Sequence, residues 1–240
     1  MKSNRIVFLL SFICAAAVAQ ERQVLSKAEL AAEFPGIEVA DILEAPLPGM
    51  YEVAIGSSVA YVSKDGRYII QGDLYDLDDN ANLTEQRRSR ARVSMLANVD
   101  PDSMIVFGPD PEDVKHTVTI FTDIDCGYCR QFHREIDKVI GLGIEVHYLF
   151  YPRTGPDTES WDKADKVWCA ADRKTALTEA KLGGRVPEDS CDATPVASHY
   201  DLGQLVGVRG TPSVFAQNGE QLGGYLTPEA LFERLEELDQ

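Results

Sequence analysis

The chain has 240 residues, 39 acidic against 23 basic, and a net charge of −16 at pH 7. So acidic a surface argues against nucleic acid and anionic membranes as partners. The length fits two modest domains better than one.

Lys2 and Arg5 make a basic start, Ile6 to Ile13 is apolar, and Ala17-Val18-Ala19 is a small-residue cleavage signature. Residues 1–19 therefore read as a secretory signal cleaved near Ala19, too short and wrongly flanked for a membrane span. A lipoprotein site at Cys14 is disfavoured by the bulky Ile13 before it. Cleavage removes two basic residues and one cysteine, leaving 221 residues, a charge of −18 and four cysteines.

From Gln20 to about Asp79 strand patterns dominate. Ser26 to Phe34 reads as a short helix with Glu29 completing a capping box. Tyr51–Ile55 and Val59–Val62 alternate, and Tyr68-Ile69-Ile70 follows an Asp65-Gly66 turn, a strong hairpin cue. A segment this short has a thin core, and pairing through an exposed strand edge would bring two copies of the chain together. After a polar break at Asp76–Asn80, Leu83 to Ala97 is helical in composition. Its thin apolar stripe and Arg87, Arg88, Arg90 and Arg92 suggest a solvated connecting helix, not a nucleic-acid surface.

Pro101, Pro109 and Pro111 mark the entry to a third zone. There a strand at Val118–Phe121 is followed by Cys126-Gly127-Tyr128-Cys129 and a helical face of Phe132, Ile136, Val139 and Ile140. Next come a strand at Ile144–Phe150, a helical region from about Thr158 to Leu205, a strand at Val214-Phe215 and a turn at Gly219-Glu220. The closing helix has Thr227 as cap, Pro228 at its first position, and Leu231, Phe232, Leu235 and Leu238 on one face. Strands and helices in this order make an α+β chain.

The first cysteine of the CxxC falls where a helix begins, among unpaired N–H groups that favour a thiolate, the species that attacks a disulfide. Zinc sites share the CxxC spacing but need two further ligands, and His116, His133, His147 and His199 form no recognisable pair. No metal or other cofactor is expected. Four cysteines allow three pairings; if the CxxC is one unit, Cys169 is left with Cys191, closing a loop worth about 3 kcal/mol, or both stay as free thiols. Gly210-Thr211-Pro212 precedes a strand, either as an ordinary turn or as a cis proline packed against the cysteines. His133, one turn past Cys129, reads as a surface or packing residue rather than a proton shuttle, and Trp161 and Trp168 as packing residues.

The stretches Phe121–Cys129, Trp168-Cys169-Ala170, Ser190-Cys191-Asp192 and Gly207–Pro212 together resemble the DsbC family of thiol:disulfide interchange proteins. Ile69–Asp76 is similar to that family's dimerisation domain. The resemblance implies a V-shaped periplasmic homodimer with a cystatin-like dimerisation domain (20–80), a linker helix and connection (81–102), and a thioredoxin fold with a helical insertion (103–240). Cys126 would then attack and Cys129 resolve, with Gly127 and Tyr128 in the active-site turn. Thr211-Pro212 would be the cis-proline loop that holds substrate, and Cys169–Cys191 a structural disulfide. Substrates would be misoxidised or unfolded exported proteins, and a membrane reductase of the DsbD type would keep the dithiol reduced.

Two positions depart from the family pattern. Asp125, where an uncharged residue is common, should disfavour the neighbouring thiolate; Arg130, where histidine is common, should favour it. The two partly offset each other in this reading, although Asp125 could equally serve only the helix N-terminus. Disulfide isomerisation with reductase character is the leading expectation. Reduction of oxidised single cysteines, a holdase chaperone and a strong oxidase are the alternatives.

Overall fold

The computed structural model describes residues 23–238, so the expected signal segment lies outside the described residues. Helix α1 (Lys27–Glu33) opens with the capping box read from the sequence: Glu29 N–H donates to Ser26 Oγ, and its carboxylate accepts from Ser26 N–H at 2.7 Å. The helix buries Leu30 against an antiparallel sheet of β1 (Ile42–Glu44), β2 (Met50–Ile55), β3 (Ser58–Ser63) and β4 (Ile69–Ile70), in that spatial order. Strand alternation divides the side chains: Ile42, Tyr51, Val53 and Val62 face Leu30, while Ala54, Val59 and Tyr61 pack with Leu74 in a second cluster. The Asp65-Gly66 turn sets Tyr61 opposite Ile70 and Val62 opposite Ile69, with Gly66 at φ 69°.

A two-residue hairpin, β5 (Tyr75–Asp76) and β6 (Ala81–Asn82), leads to α2 (Leu83–Ala97). This helix is not the solvated rod that its composition suggested. Thr84 and Arg92 are buried. The Thr84 hydroxyl bonds the Tyr61 hydroxyl at 2.6 Å and accepts the Leu74 N–H, and Arg87 pairs with Glu52 of β2 at 3.0 Å. Further along, Arg92 Nε donates to the Val206 carbonyl at 3.0 Å, its Nη1 pairs with Glu85, and the guanidinium lies over the Phe215 ring. A guanidinium can be buried when its planar donors all find acceptors, which a count of charges cannot foresee. The β2–β3 turn closes the same junction, as Ser57 N–H and Oγ both donate to the Leu205 carbonyl at 2.9 Å.

The second sheet contains β7 (Ile105–Phe107), β8 (His116–Thr122), β9 (Ile144–Phe150), β10 (Ser213–Ala216) and β11 (Gln221–Gly223), ordered β11-β10-β8-β9-β7. Strands β8 and β9 run parallel and the other pairs antiparallel. The β8–β9 crossover carries α3 (Gly127–Arg134) and α4 (Ile136–Gly141). Phe132, Ile136 and Val139 are buried as the periodicity requires, but Glu135 leaves helical geometry and divides the face between two helices. Gly219, in the β10–β11 turn, passes so close to α2 that a Cβ there would overlap the Ser89 carbonyl oxygen.

The helical region expected from Thr158 to Leu205 is three helices, α5 (Glu159–Cys169), α6 (Arg173–Lys181) and α7 (Val196–Leu205). Gly183-Gly184, Pro187 and Pro195 account for the irregular stretch between the last two, since none of them suits a helix interior. Cys191 lies in that stretch and is disulfide-bonded to Cys169 at the end of α5, with Cα atoms 5.4 Å apart. Trp168 is buried in the core with Arg173 stacked on its ring, and Trp161 packs beside it. The closing helix α8 (Pro228–Leu238) is capped by Thr227 and buries Leu231 and Leu235. Among the described residues no helix is long and apolar enough to cross a membrane.

Candidate active site

The end of β8 delivers the chain into the site. Thr122 and Asp123 are buried, and three residues later Cys126 is the N-cap of α3, in extended conformation. Gly127 and Tyr128 form the first exposed turn, and Cys129 lies one turn into the helix. Both cysteines are free and buried. The Thr211–Pro212 peptide bond is cis, and the Thr211 carbonyl oxygen lies 3.0 Å from Cys126 Sγ, accepting from the thiol. The Thr211 hydroxyl is buried with no hydrogen-bond partner among the described residues, so it is free to turn and donate to Sγ once the thiolate forms.

The two thiols are driven apart in acidity. Cys126 is lowered to about 5, first by the hydrogen bond from Cys129, and then, against the opposing cost of burial, by Thr211, the Cys129 N–H and the Arg153 guanidinium. Burial pushes the Cys129 thiol up, and so does its hydrogen bond to Cys126, since donating that bond requires the thiol to keep its proton. One group is thus a thiolate at neutral pH and the other a reserve thiol.

Arg153, at the C-terminal side of β9, had no role in the sequence reading. Its N–H and Nε both donate to the buried Asp123 carboxylate, at 3.0 and 2.9 Å, and Asp123 also accepts from Ser160 Oγ at 2.7 Å and Asp125 N–H at 2.8 Å. Burial alone would raise the Asp123 carboxyl, but these four hydrogen bonds outweigh it and hold it below the usual carboxylate range. Asp123 therefore anchors Arg153 where its charge reaches Cys126. The signal was present: an acid and a base stand at the carboxyl ends of two neighbouring parallel strands, in Thr122-Asp123 and Tyr151-Pro152-Arg153.

Asp125 and Arg130 are brought together. Arg130 Nη2 lies 3.1 Å from the Asp125 carboxylate, Lys163 Nζ lies 3.0 Å from it, and Arg130 Nε donates to the Ile124 carbonyl. With Asp125 held between two cations, the positive charge that favours the Cys126 thiolate is that of Arg153. Thiol alkylation against pH checks this. Asp125→Thr should move the Cys126 transition by less than about half a pH unit, and Arg153→Met should raise it by roughly one. The reverse ranking would overturn the assignment to Arg153.

Tyr128 is 64 % exposed and stacked on Tyr225, whose hydroxyl donates to Glu135. His133, for which the sequence left surface or packing open, is buried between the Tyr148 and Thr178 hydroxyls, and desolvation followed by the nearby Lys181 charge lowers it to about 3. Lys181 is a second residue the sequence reading passed over, although a lysine on the apolar stripe of Ala176, Leu177 and Ala180 is itself a signal.

A dithiol at a helix N-terminus, on a mixed five-stranded sheet and facing a cis proline, defines a thiol:disulfide oxidoreductase of the thioredoxin fold. Comparison with known proteins agrees. Residues 111–239 match the thioredoxin-like domain family, and residues 15–85 match the disulfide bond isomerase protein N-terminal domain. The thiol:disulfide interchange protein DsbC of Escherichia coli (strain K12) is 38% identical over 202 residues, 84% of this chain and 83% of its own. DsbC of Dickeya dadantii (strain 3937) is 34% identical over 238 residues, 98% of this chain and 96% of its own. The crystal structure of a disulfide interchange protein from Neisseria gonorrhoeae superposes with a TM-score of 0.52 at 28% identity, covering 59% of this chain and 99% of that one. The chain belongs to the DsbC family of thiol:disulfide interchange proteins.

Proposed function

We propose that this protein isomerises, and when necessary reduces, incorrect disulfides of exported proteins, with Cys126 as nucleophile and Cys129 as resolving thiol. The observation that carries the reading is the opposed acidity of the two thiols, one lowered to about 5 and the other raised. Isomerisation needs a thiol that attacks and then leaves, and a low pKa makes Cys126 a good leaving group. Its thiolate attacks a substrate disulfide, forming one S–S bond and releasing one substrate thiolate. That thiolate can attack elsewhere and return to expel Cys126, leaving a rearranged substrate. When it does not, Cys129 attacks Cys126 Sγ, and the substrate leaves reduced while the enzyme is oxidised. A membrane reductase of the DsbD type then restores the dithiol.

Thr211-Pro212 supplies the backbone ledge on which an extended substrate lies, Tyr128 offers an exposed aromatic face beside it, and Cys169–Cys191 serves the fold. The domain division at 20–80, 81–102 and 103–240 follows the family pattern, with a cleaved signal directing the chain to the periplasm. Dimerisation through the N-terminal sheet is supported by β4, an edge strand on which Ile69 and Ile70 are exposed, with exposed Tyr68 just before it.

Recovery of scrambled ribonuclease in a glutathione buffer, run beside insulin reduction, tests the proposal. The wild type should recover ribonuclease, and Cys129→Ser should retain part of that recovery while losing insulin reduction. A wild type that reduces insulin but recovers no ribonuclease would make the protein a reductase only.

A further inference from the structure

Helix α6 turns Lys181 inward on the same face as Leu177, and the side chain has no exposed surface. Placing an ammonium in an apolar interior is costly, and a methionine or leucine would fill the same space without that cost. The amine meets two oxygens at the end of β8: Nζ donates to Thr122 Oγ1 at 2.7 Å and to the Asp123 carbonyl at 3.4 Å. The Thr122 hydroxyl in turn acts on the Cys129 thiol, favouring its ionised form. Lys181 and Thr122 therefore form one buried polar cluster beside the second thiol.

Cys129 needs such a cluster. It is 1 % exposed, so water has little access to its proton. Burial pushes the thiol up, yet it must become a thiolate to attack Cys126. Burial also pulls the Lys181 amine below its ordinary value, against the opposing charges of Cys129, Asp123 and Cys126. The other groups facing it are Arg130 and His133 of α3 and Tyr148 of β9, whose ring centre is 5.6 Å from Nζ.

We infer that Lys181 accepts the proton of Cys129, through the Thr122 hydroxyl, when Cys129 resolves the mixed disulfide. The inference rests on the reading of Cys129 as the resolving thiol. In the mixed disulfide the Cys126 thiolate charge, which helps to hold a proton on the amine, is gone; with the amine's proton released to solvent, Cys129 S–H donates to Thr122 Oγ1 and the Thr122 hydroxyl donates to the amine lone pair. Both protons then shift along the path, leaving an ammonium that donates to Thr122 and a hydroxyl that donates to the thiolate. The thiolate attacks Cys126 Sγ, the Cys126–Cys129 bond forms, and the bond from Cys126 to substrate breaks. The electron pair leaves with the substrate thiolate, so the substrate is reduced, the enzyme dithiol is oxidised, and one proton remains on Lys181. Lys181 touches no substrate atom; it is a positioning residue for that proton and acts only through Thr122.

Stopped-flow reaction of the reduced full chain with one equivalent of the chromogenic aromatic disulfide DTNB separates the steps. Attack by Cys126 releases the first thionitrobenzoate in a concentration-dependent phase, and attack by Cys129 releases the second in a unimolecular phase. In Lys181→Met the second phase should slow by about 10- to 100-fold at neutral pH, and its rise with pH should move upward. The first phase should stay within about twofold of wild type. Thr122→Val should give the same result with the amine still in place, and it tests the path if Lys181→Met does not fold. Lys181→Arg, a cation without a lone pair, should be as slow as Lys181→Met. An unchanged second phase and pH profile in Lys181→Met and Thr122→Val would overturn the inference, as would full rescue by Lys181→Arg, which would make charge alone sufficient. A second phase that persists in Cys129→Ser would instead remove the resolving role of Cys129.

Discussion

Replacing Cys126 by serine should abolish disulfide exchange, lowering the rate by at least ~10⁴-fold, because nothing else in the site can take its place. The wild-type thiol is lowered to about 5 and is almost wholly thiolate at neutral pH. A serine hydroxyl stays protonated there and forms no exchangeable bond with sulfur. Cys129 cannot substitute, since it is buried one turn deeper and its thiol is pushed up by burial. The fold should tolerate the change, because Cys126 is the N-cap of α3 and serine is among the preferred residues there. Scrambled-ribonuclease recovery and a non-reducing gel check both halves: Cys126→Ser gives neither activity nor mixed disulfide, whereas Cys129→Ser accumulates the mixed disulfide. Equal recovery by Cys126→Ser would leave binding of unfolded chains as the activity and remove the dithiol from the mechanism.

Which parts of this site could be read from sequence follows from the range of the forces involved. The Cys126 position at a helix start, the capping box of Ser26 and Glu29 and the Asp65-Gly66 hairpin depend on residues within one turn of each other, and their local patterns carry them. Strand Ile144–Phe150 is legible because it alternates, with Ile144, Val146 and Tyr148 buried and Glu145 and His147 half-buried between them, before an apolar end at Leu149-Phe150. Arg153 and Lys181 act on the thiols from 24 and 52 residues beyond Cys129 in the chain, separations across which no periodicity links them. Only the parallel pairing of β8 with β9 and the docking of α6 bring them in. Arg92 misled for the related reason that its acceptors, the Val206 and Gly219 carbonyls, belong to loops more than a hundred residues away. A buried charge is visible in sequence only as an exception to the apolar stripe, and its partners only in three dimensions.

Acid should destabilise the fold across the same pH range in which the Cys126 thiolate takes up its proton, which lies near 5. His133 is held neutral in the core, with Nδ1 3.1 Å from the Tyr148 hydroxyl and Nε2 2.9 Å from that of Thr178. Protonation would place an imidazolium there beside Lys181, and desolvation followed by that charge lowers its pKa to about 3. His199 accepts the Phe150 N–H and is lowered to about 4 by desolvation. Both folded values lie below the ordinary value near 6.5, so the unfolded chain takes up each proton first. Stability from the neutral histidines is therefore complete above that value and is lost as pH falls through the window to about 4 and about 3. Fully traversed, the His133 window is worth on the order of 5 kcal/mol and the His199 window on the order of 3 kcal/mol, a large share of a typical domain's stability. Asp123 adds to the loss in the same direction, since its lowered carboxyl stabilises the fold only while ionised. Urea titrations followed by fluorescence of Trp161 and Trp168 at a series of pH values should show the unfolding midpoint falling steadily below about pH 6.5. His133→Gln, whose amide can still meet both hydroxyls but does not titrate, should flatten that fall by about one proton's worth of slope. If the variant and the wild type lose stability with the same slope, His133 is not the group that acid attacks, and the loss belongs to His199 and the carboxylates.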